Sequence, residues 1–329
     1  MRCFWDERQR AHAPAAEFFN GKLHPAAEHL GRVDAILAAI GRTEAPADSG
    51  LEPLLRVHSR DYLDLLRDAH RDWLAAGREG DAFPYTFPIV GRRPLDLARI
   101  DARLGQHSFD TSTPIGPGTW DACYWSAQTG LAGLAAVLGR DRYAFAFTRP
   151  PGHHAGRDYL GGYSYLNHAA ICAEAALAAG QRRIAILDVD YHHGNGTQDI
   201  FGGRDDVFFV SIHADPSTDY PFFWGHADES GGNILNLPLP RATGWSGYAP
   251  ALTQAIDWLA KREPDVLIVS YGADTHEADP ISYFELKTSD YGPMARRIAS
   301  MNLPTLIVME GGYAVEALGA NVAAFLGGF

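Results

Sequence analysis

Four ionisable side chains, Asp188, Asp190, His192 and His193, crowd into the stretch DVDYHHGNG, directly after the apolar run at 184–187. Charge at the end of so apolar a run is costly unless it is paired or bound to a metal, so the stretch marks the edge of a site. Asp190 and His192 are two residues apart and project to one side of an extended backbone, where they can grip one ion. Asp274, in GADTHEADP after another apolar run, adds a second carboxylate. Two carboxylates and one imidazole suit catalytic zinc, which takes N and O ligands at about 2.0–2.2 Å and keeps a coordination position open. His153 and His154 in RPPGHHAG and Tyr313 in MEGGY complete a set fit for acyl transfer to water. The histidines can serve as electrostatic stabiliser and general base, and the tyrosine hydroxyl as donor to a developing oxyanion. Gly311 and Gly312 let the backbone bring Tyr313 close to the ion.

Each of these groups follows a short apolar run, at 143–147, 184–189, 207–212, 266–269 and 306–309; the third ends at His213. Between the runs lie segments of helical character, 168–179 and 249–261, with two more upstream at 61–76 and 122–138. Continuous apolar strands alternating with helices predict an α/β fold, a single domain over 1–329 with a mostly parallel central sheet flanked by helices. Ligands bind at the carboxyl ends of such strands, so the polar residues are expected to converge on one face. The Pro- and Gly-containing segment 77–117 lacks periodicity and reads as long loops and short turns, which in such folds tend to be functional.

Composition sets the outer bounds. A 46% hydrophobic chain of 329 residues has ample material for a core. Three scattered cysteines, Cys3, Cys123 and Cys172, argue against a disulfide framework or thiolate metal site and fit a reducing compartment. The opening MRCFWDERQRAH lacks the apolar core of a secretory signal, and no stretch approaches the roughly 20 apolar residues of a membrane span, so a soluble, cytoplasmic protein is expected. A formal charge of −12 disfavours nucleic acid and favours a small cationic partner. Neither GxxxxGK[ST] nor GxSxG occurs, which removes nucleotide and serine-hydrolase readings.

Taken together, RPPGHHAG, DVDYHHGNGTQDIF, GADTHEADPI and MEGGY resemble the zinc amidohydrolases of the histone deacetylase and acetylpolyamine amidohydrolase superfamily, and AAEFFNGKL and PGTWDA look nearest to its bacterial acetylpolyamine branch. The resemblance implies zinc on Asp190, His192 and Asp274, His154 as general base and acid, His153 as its electrostatic partner, and Tyr313 as carbonyl activator. Asp188 would orient His153. Asn195 stands where many eukaryotic relatives carry Asp, opposite His154; a neutral partner raises that imidazole less and favours the free base near neutrality. A structural potassium ion is implied on Asp188 and Ser211, with backbone carbonyls of Asp190, His192 and Ile212. Gly162 and Tyr163, with Phe222 and Phe223, would wall an acyl tunnel.

The same resemblance implies a homodimer whose N-terminal loop region, about 10–30, narrows the mouth together with the 77–117 loops. Glu17 and Asp101 match positions where acidic groups meet the distal ammonium of a polyamine. A third carboxylate is replaced by Ser112, with Asp110 nearby, which weakens the case for a second cationic group. Small N-acetylated amines, acetylated polyamines above all, are the expected substrates; acyl-lysine in peptides is the alternative. A dinuclear arginase-like site needs a carboxylate two residues after Asp274, where His276 stands, so one metal is expected. A catalytically dead binding protein would be expected to lose Tyr313 or a histidine, and none is lost. His193 has no chemical role in this scheme beyond a structural hydrogen bond.

Overall fold

The computed structural model describes residues 1–88 and 95–329. Its core is a seven-stranded sheet, every neighbouring pair of which runs parallel. The strands are β1 (Arg2–Phe4), β4 (Tyr143–Ala146), β5 (Ile184–Asp188), β6 (Val207–Ala214), β7 (Ile234–Leu239), β8 (Val266–Tyr271) and β9 (Thr305–Met309). They lie in the order β1-β4-β9-β8-β5-β6-β7. The two remaining strands, β2 (Ala16–Phe19) and β3 (Lys22–Pro25), form a separate antiparallel hairpin.

Alternation explains why the strands are apolar throughout. Ile184 and Ile186 of β5 enter one core, with Leu306 and Val308 of β9; Ala185 and Leu187 enter the other, with Ile307 and Met309. Helices α2 (Glu52–Leu55), α3 (Arg60–Ala75), α5 (Thr119–Gly139), α6 (His168–Ala178) and α7 (Asn195–Phe201) contribute to the first core. Helices α1 (Gly31–Ile40), α8 (Trp245–Ala260), α9 (Thr288–Ala299) and α10 (Val315–Leu326) contribute to the second. A strand with both faces covered gains about 1.5–3 kcal/mol from each large side chain it buries, and a polar residue there would forfeit that.

Three regions differ from the reading of the sequence. The 77–117 segment is not loop throughout: α4 (Ile100–Gln106) buries Ile100 and Leu104, a helix too short for its periodicity to register; residues 89–94 of that segment fall outside the described part. The N-terminal region at 10–30 contains the β2–β3 hairpin, turned by Asn20 and Gly21 at φ 49° and 76°. Asn-Gly is the strongest short hairpin signal, because both turn positions require positive φ. At the sheet edges, β1 has three residues and β7 carries Pro238, which an edge strand tolerates.

Candidate functional site

The four adjacent strands β4, β9, β8 and β5 release their chains side by side at one end of the sheet. His153 and His154 follow β4, Glu310 and Tyr313 follow β9, Asp274 follows β8, and Asp190 and His192 follow β5. Asp190, His192 and Asp274 each offer a ligand atom, all within 4.8 Å of one another. His192 Nδ1 lies 3.1 Å from Asp274 Oδ2 and 3.3 Å from Asp190 Oδ1. Among the described residues this is the one such cluster, and His276 is not part of it.

The surroundings fit a cation. Burial and the charge of Asp190 push Asp274 up to about 8, so without a positive ion the two carboxylates resist ionising together. Backbone has been kept out of their way: a Cβ on Gly311 would lie 2.6 Å from Asp274 Oδ2 and 2.7 Å from Asp190 Oδ2, and one on Gly272 would lie 2.1 Å from Asp190 Oδ2. Backbone N–H groups orient the same carboxylates, Gly311 donating to Asp190 Oδ2 and Tyr191 to Asp274 Oδ1, both at 2.9 Å.

The two histidines beside the cluster have opposite electrostatics. Burial opposes a charged His153, but Asp188, whose Oδ2 is 2.9 Å from Nδ1, and Asp190 raise its pKa to about 10. Burial and the neighbouring His153 and His192 hold His154 well below its ordinary value, against the hydrogen bond of its Nδ1 to Asn195 Oδ1 at 2.7 Å. With the carboxamide oxygen assigned to that contact, Nδ1 carries the proton and Nε2 can accept one. The rings are 4.0 Å apart. A charged and a neutral imidazole in contact could divide the tasks of electrostatic stabiliser and base.

Tyr313 is buried, its backbone N–H held by Asp279 Oδ2 at 2.7 Å and its ring 5.6 Å from that of Tyr163. Burial raises its hydroxyl well above the usual range, so it stays a donor. Asp188 and Ser211 are register partners on β5 and β6, and Ser211 Oγ contacts His213 Nδ1 at 2.8 Å, with Ile212 between them in β6. His193 is buried, with Nε2 3.2 Å from Asn236 Oδ1.

The residues read as substrate-binding divide into two groups. Gly162 and Tyr163 line the site: a Cβ on Gly162, at φ 54°, would lie 2.3 Å from the His154 ring. Glu17, on β2, is hydrogen-bonded by Tyr163, and burial pushes its carboxyl up; its Oε2 has no partner among the described residues. By contrast, Asp101 accepts from Arg78 and Arg99 at 2.6 Å each, which occupies it as an anchor of α4. Asp110 is filled by the backbone of Gly162 and Ser112 and by the hydroxyls of Ser112 and Tyr220.

Phe222 and Phe223 are 48% and 86% exposed and do not wall the histidines. That place belongs to Tyr220, whose ring is 5.1 Å from His154 and 6.0 Å from His192. The reason is its polar tip: the hydroxyl reaches Asp110 Oδ2 at 2.8 Å, which tethers the ring inward, whereas a phenylalanine has no such anchor. Its neighbour Phe222 sits at φ 62°.

Comparison with known proteins decides the lineage: the family of the histone deacetylase domain matches residues 22–329. The chain belongs to the histone deacetylase family. Within that family it is 48% identical to acetylpolyamine amidohydrolase 1 of Pseudomonas aeruginosa, over 100% of this chain and 99% of that one. It is 42% identical to the acetylpolyamine amidohydrolase of Mycoplana ramosa, over 100% and 99% respectively. The solved structure of acetylpolyamine aminohydrolase from Burkholderia pseudomallei superposes with a TM-score of 0.94 at 39% identity, covering 100% of this chain and 98% of that one. The protein is thus an enzyme of the hydrolytic deacetylase family, built on that family's parallel-sheet fold. Among the described residues, no helix is long and apolar enough to cross a membrane.

Proposed function

We propose that this enzyme uses zinc, held by Asp190, His192 and Asp274, to hydrolyse the amide of small N-acetylated amines, with acetylated polyamines as the main substrates. The observation that carries the reading is the Asp-His-Asp cluster, both of its carboxylates buried, flanked by His153 on the Asp188 carboxylate and His154 on the Asn195 carboxamide. Zinc there supplies Lewis acidity toward the amide carbonyl and the attacking water. His154 Nε2 takes the proton of the attacking water and passes it to the leaving amine, while Asn195 keeps the ring in the required tautomer. His153, kept protonated by Asp188, balances negative charge as it develops. Tyr313 donates its hydroxyl to the oxyanion. A structural potassium ion on Asp188, Ser211 and the carbonyls of Asp190, His192 and Ile212 suits the strand pairing of Asp188 with Ser211.

Support for an amine substrate comes from Glu17, the carboxylate beside Tyr163 that retains an unpartnered oxygen, and from full-length similarity to relatives named for acetylpolyamines. Gly162, Tyr163 and Tyr220 form the walls along which the acetyl group passes. A homodimer would cover Phe19 and Leu23 of the hairpin, both exposed, and narrow the mouth around Glu17. A second reading, hydrolysis of acyl-lysine in peptides, is favoured by the engagement of Asp101 and Asp110 elsewhere, which leaves less charge for a second ammonium. The deciding experiment compares kcat/KM of the zinc-loaded protein on N-acetylputrescine and on an acetyl-lysine peptide. A preference of ~100-fold for the diamine, about 2.7 kcal/mol, supports the first reading; equal rates or preference for the peptide support the second.

A further inference from the structure

Glu310 is a fully buried carboxylate at the carboxyl end of β9 that belongs neither to the candidate metal cluster nor to the hydrogen-bonding partners of either histidine ring. An isolated carboxylate in such a place is costly, so its contacts need a reason. Its Oε2 accepts from the backbone N–H of Gly152 at 2.7 Å and of His153 at 3.2 Å, and its Oε1 accepts from Ser270 Oγ at 3.0 Å. These are the two peptide groups that lead into the histidine pair. Rotation at either would swing both rings, because His153 and His154 hang from consecutive residues of one loop. The same loop is packed hard on its other side, where a Cβ on Gly152 would lie 2.5 Å from His168 Nδ1.

The backbone of the 310–313 segment is held as firmly. Glu310 N–H donates to Tyr271 O at 2.8 Å, Gly311 N–H to Asp190 Oδ2 at 2.9 Å, and Tyr313 N–H to Asp279 Oδ2 at 2.7 Å. Arg32 donates to the carbonyls of Glu310 and Gly312 at 2.6 and 2.7 Å. One residue therefore has its main chain in the segment that carries Tyr313 and its side chain on the peptides that lead into the histidine pair.

We infer that Glu310 is a positioning residue: its carboxylate clamps the two successive peptide planes that precede His153 and so fixes the histidine pair relative to Tyr313. The inference rests on the hydrolytic reading above. A clamp of this kind acts on the geometry of the reacting groups, and a misplacement of about 1 Å costs on the order of 10²-fold in rate. Glutamine preserves the clamp, since its carbonyl oxygen accepts from both N–H groups and its amide donates to Ser270. Aspartate keeps the charge but is one methylene short of the loop.

The test is kcat and KM per zinc-loaded site for wild type, Glu310→Gln, Glu310→Asp and Glu310→Ala on the better of the two acetylated substrates, with melting temperature and zinc content measured alongside. The expected result is kcat within ~3-fold of wild type for Glu310→Gln, and ~30- to 100-fold lower for Glu310→Asp and Glu310→Ala, with KM within ~3-fold and full zinc throughout. Should Glu310→Ala not fold, the order of the other two decides: glutamine above aspartate supports the clamp, and aspartate at or above glutamine overturns it. Variants that melt earlier yet turn over at the wild-type kcat per site also overturn it, reducing Glu310 to a structural role. A zinc-loaded wild type that hydrolyses neither substrate overturns the hydrolytic reading itself, and the clamp's purpose with it.

Discussion

Gly311→Ala isolates one steric demand of the candidate metal cluster. The added methyl would stand 2.6 Å from Asp274 Oδ2 and 2.7 Å from Asp190 Oδ2, whereas ordinary contact begins at 3.4 Å. The two oxygens must therefore retreat by about 0.8 and 0.7 Å, the differences between those distances. Metal–ligand distances tolerate only about ±0.2 Å, so the carboxylates cannot both retreat and keep their grip. Gly311 is not among the glycines at positive φ, so alanine brings no backbone strain that would confuse the result. Perturbation of groups that orient metal ligands costs roughly 10- to 100-fold in affinity, and that range is expected here for zinc, with a fall in kcat of ~100-fold in the zinc-saturated variant. Competition against a chelator gives the affinity, and hydrolysis at saturating zinc gives the rate. Gly139→Ala is the control, because its Cβ meets nothing within 4 Å. Zinc affinity and kcat of Gly311→Ala equal to the control would refute the assignment of Asp190 and Asp274 as joint ligands.

Further expectations concern separate parts of the site. Tyr313→Phe should lower kcat by roughly 10²- to 10³-fold while zinc content stays full, the scale for one lost oxyanion donor; unchanged turnover would remove Tyr313 from the mechanism. Glu17→Gln should reduce kcat/KM for N-acetylputrescine by the equivalent of about 1.5–3 kcal/mol and leave an acetyl-lysine peptide untouched, and a parallel loss on both substrates would deny it a role in selectivity. Stability should fall in acid through Glu28: burial opposes its charge, but Arg149 and Arg32 hold its pKa down from 4.5 to about 2. A depressed carboxylate stabilises the fold above its unfolded pKa, and that contribution is lost as pH drops from about 4.5 to 2. That depression corresponds to on the order of 3 kcal/mol in denaturant unfolding. Glu28→Gln should flatten that acid limb while lowering stability at neutral pH, because two buried guanidinium groups lose their partner.

How much of this the sequence discloses depends on how local each signal is. The strands read at 143–147, 184–189, 207–212, 266–269 and 306–309 are all present, because a strand covered on both faces leaves a continuous apolar run. The cluster of Asp190, His192 and Asp274 is equally legible, since parallel strands deliver their carboxyl ends to one side. The edge strands β1 and β7 escape, one by brevity and the other by Pro238, and α1 is preceded by Leu30, which supplies no side-chain cap. Asn20-Gly21 carries a hairpin signal that the reading as loop passed over. Tyr220 and Glu310 are different in kind: what makes them matter is a hydrogen bond to Asp110 in one case and to Gly152 and His153 in the other, across 110 and about 158 positions of chain. No periodicity or spacing records a contact at such a distance. Asp101 errs in the opposite direction, since its type and position suit a cation while Arg78 and Arg99 already occupy it.

The strand order has a consequence for biosynthesis. The strand β4, which leads to His153 and His154, and β5, which leads to Asp190 and His192, are separated in the sheet by β9 and β8, which follow every other strand of that sheet in the chain. Until they arrive, the strands already made can pair only as two half-sheets, each of which would present a bare, strongly apolar edge to the gap that β8 and β9 fill. Such edges are templates for intermolecular pairing, so this protein's window of greatest aggregation risk lies late in translation. Closing the gap joins the halves of the core and assembles the catalytic centre in the same event, which makes enzymatic activity a direct report of completed folding.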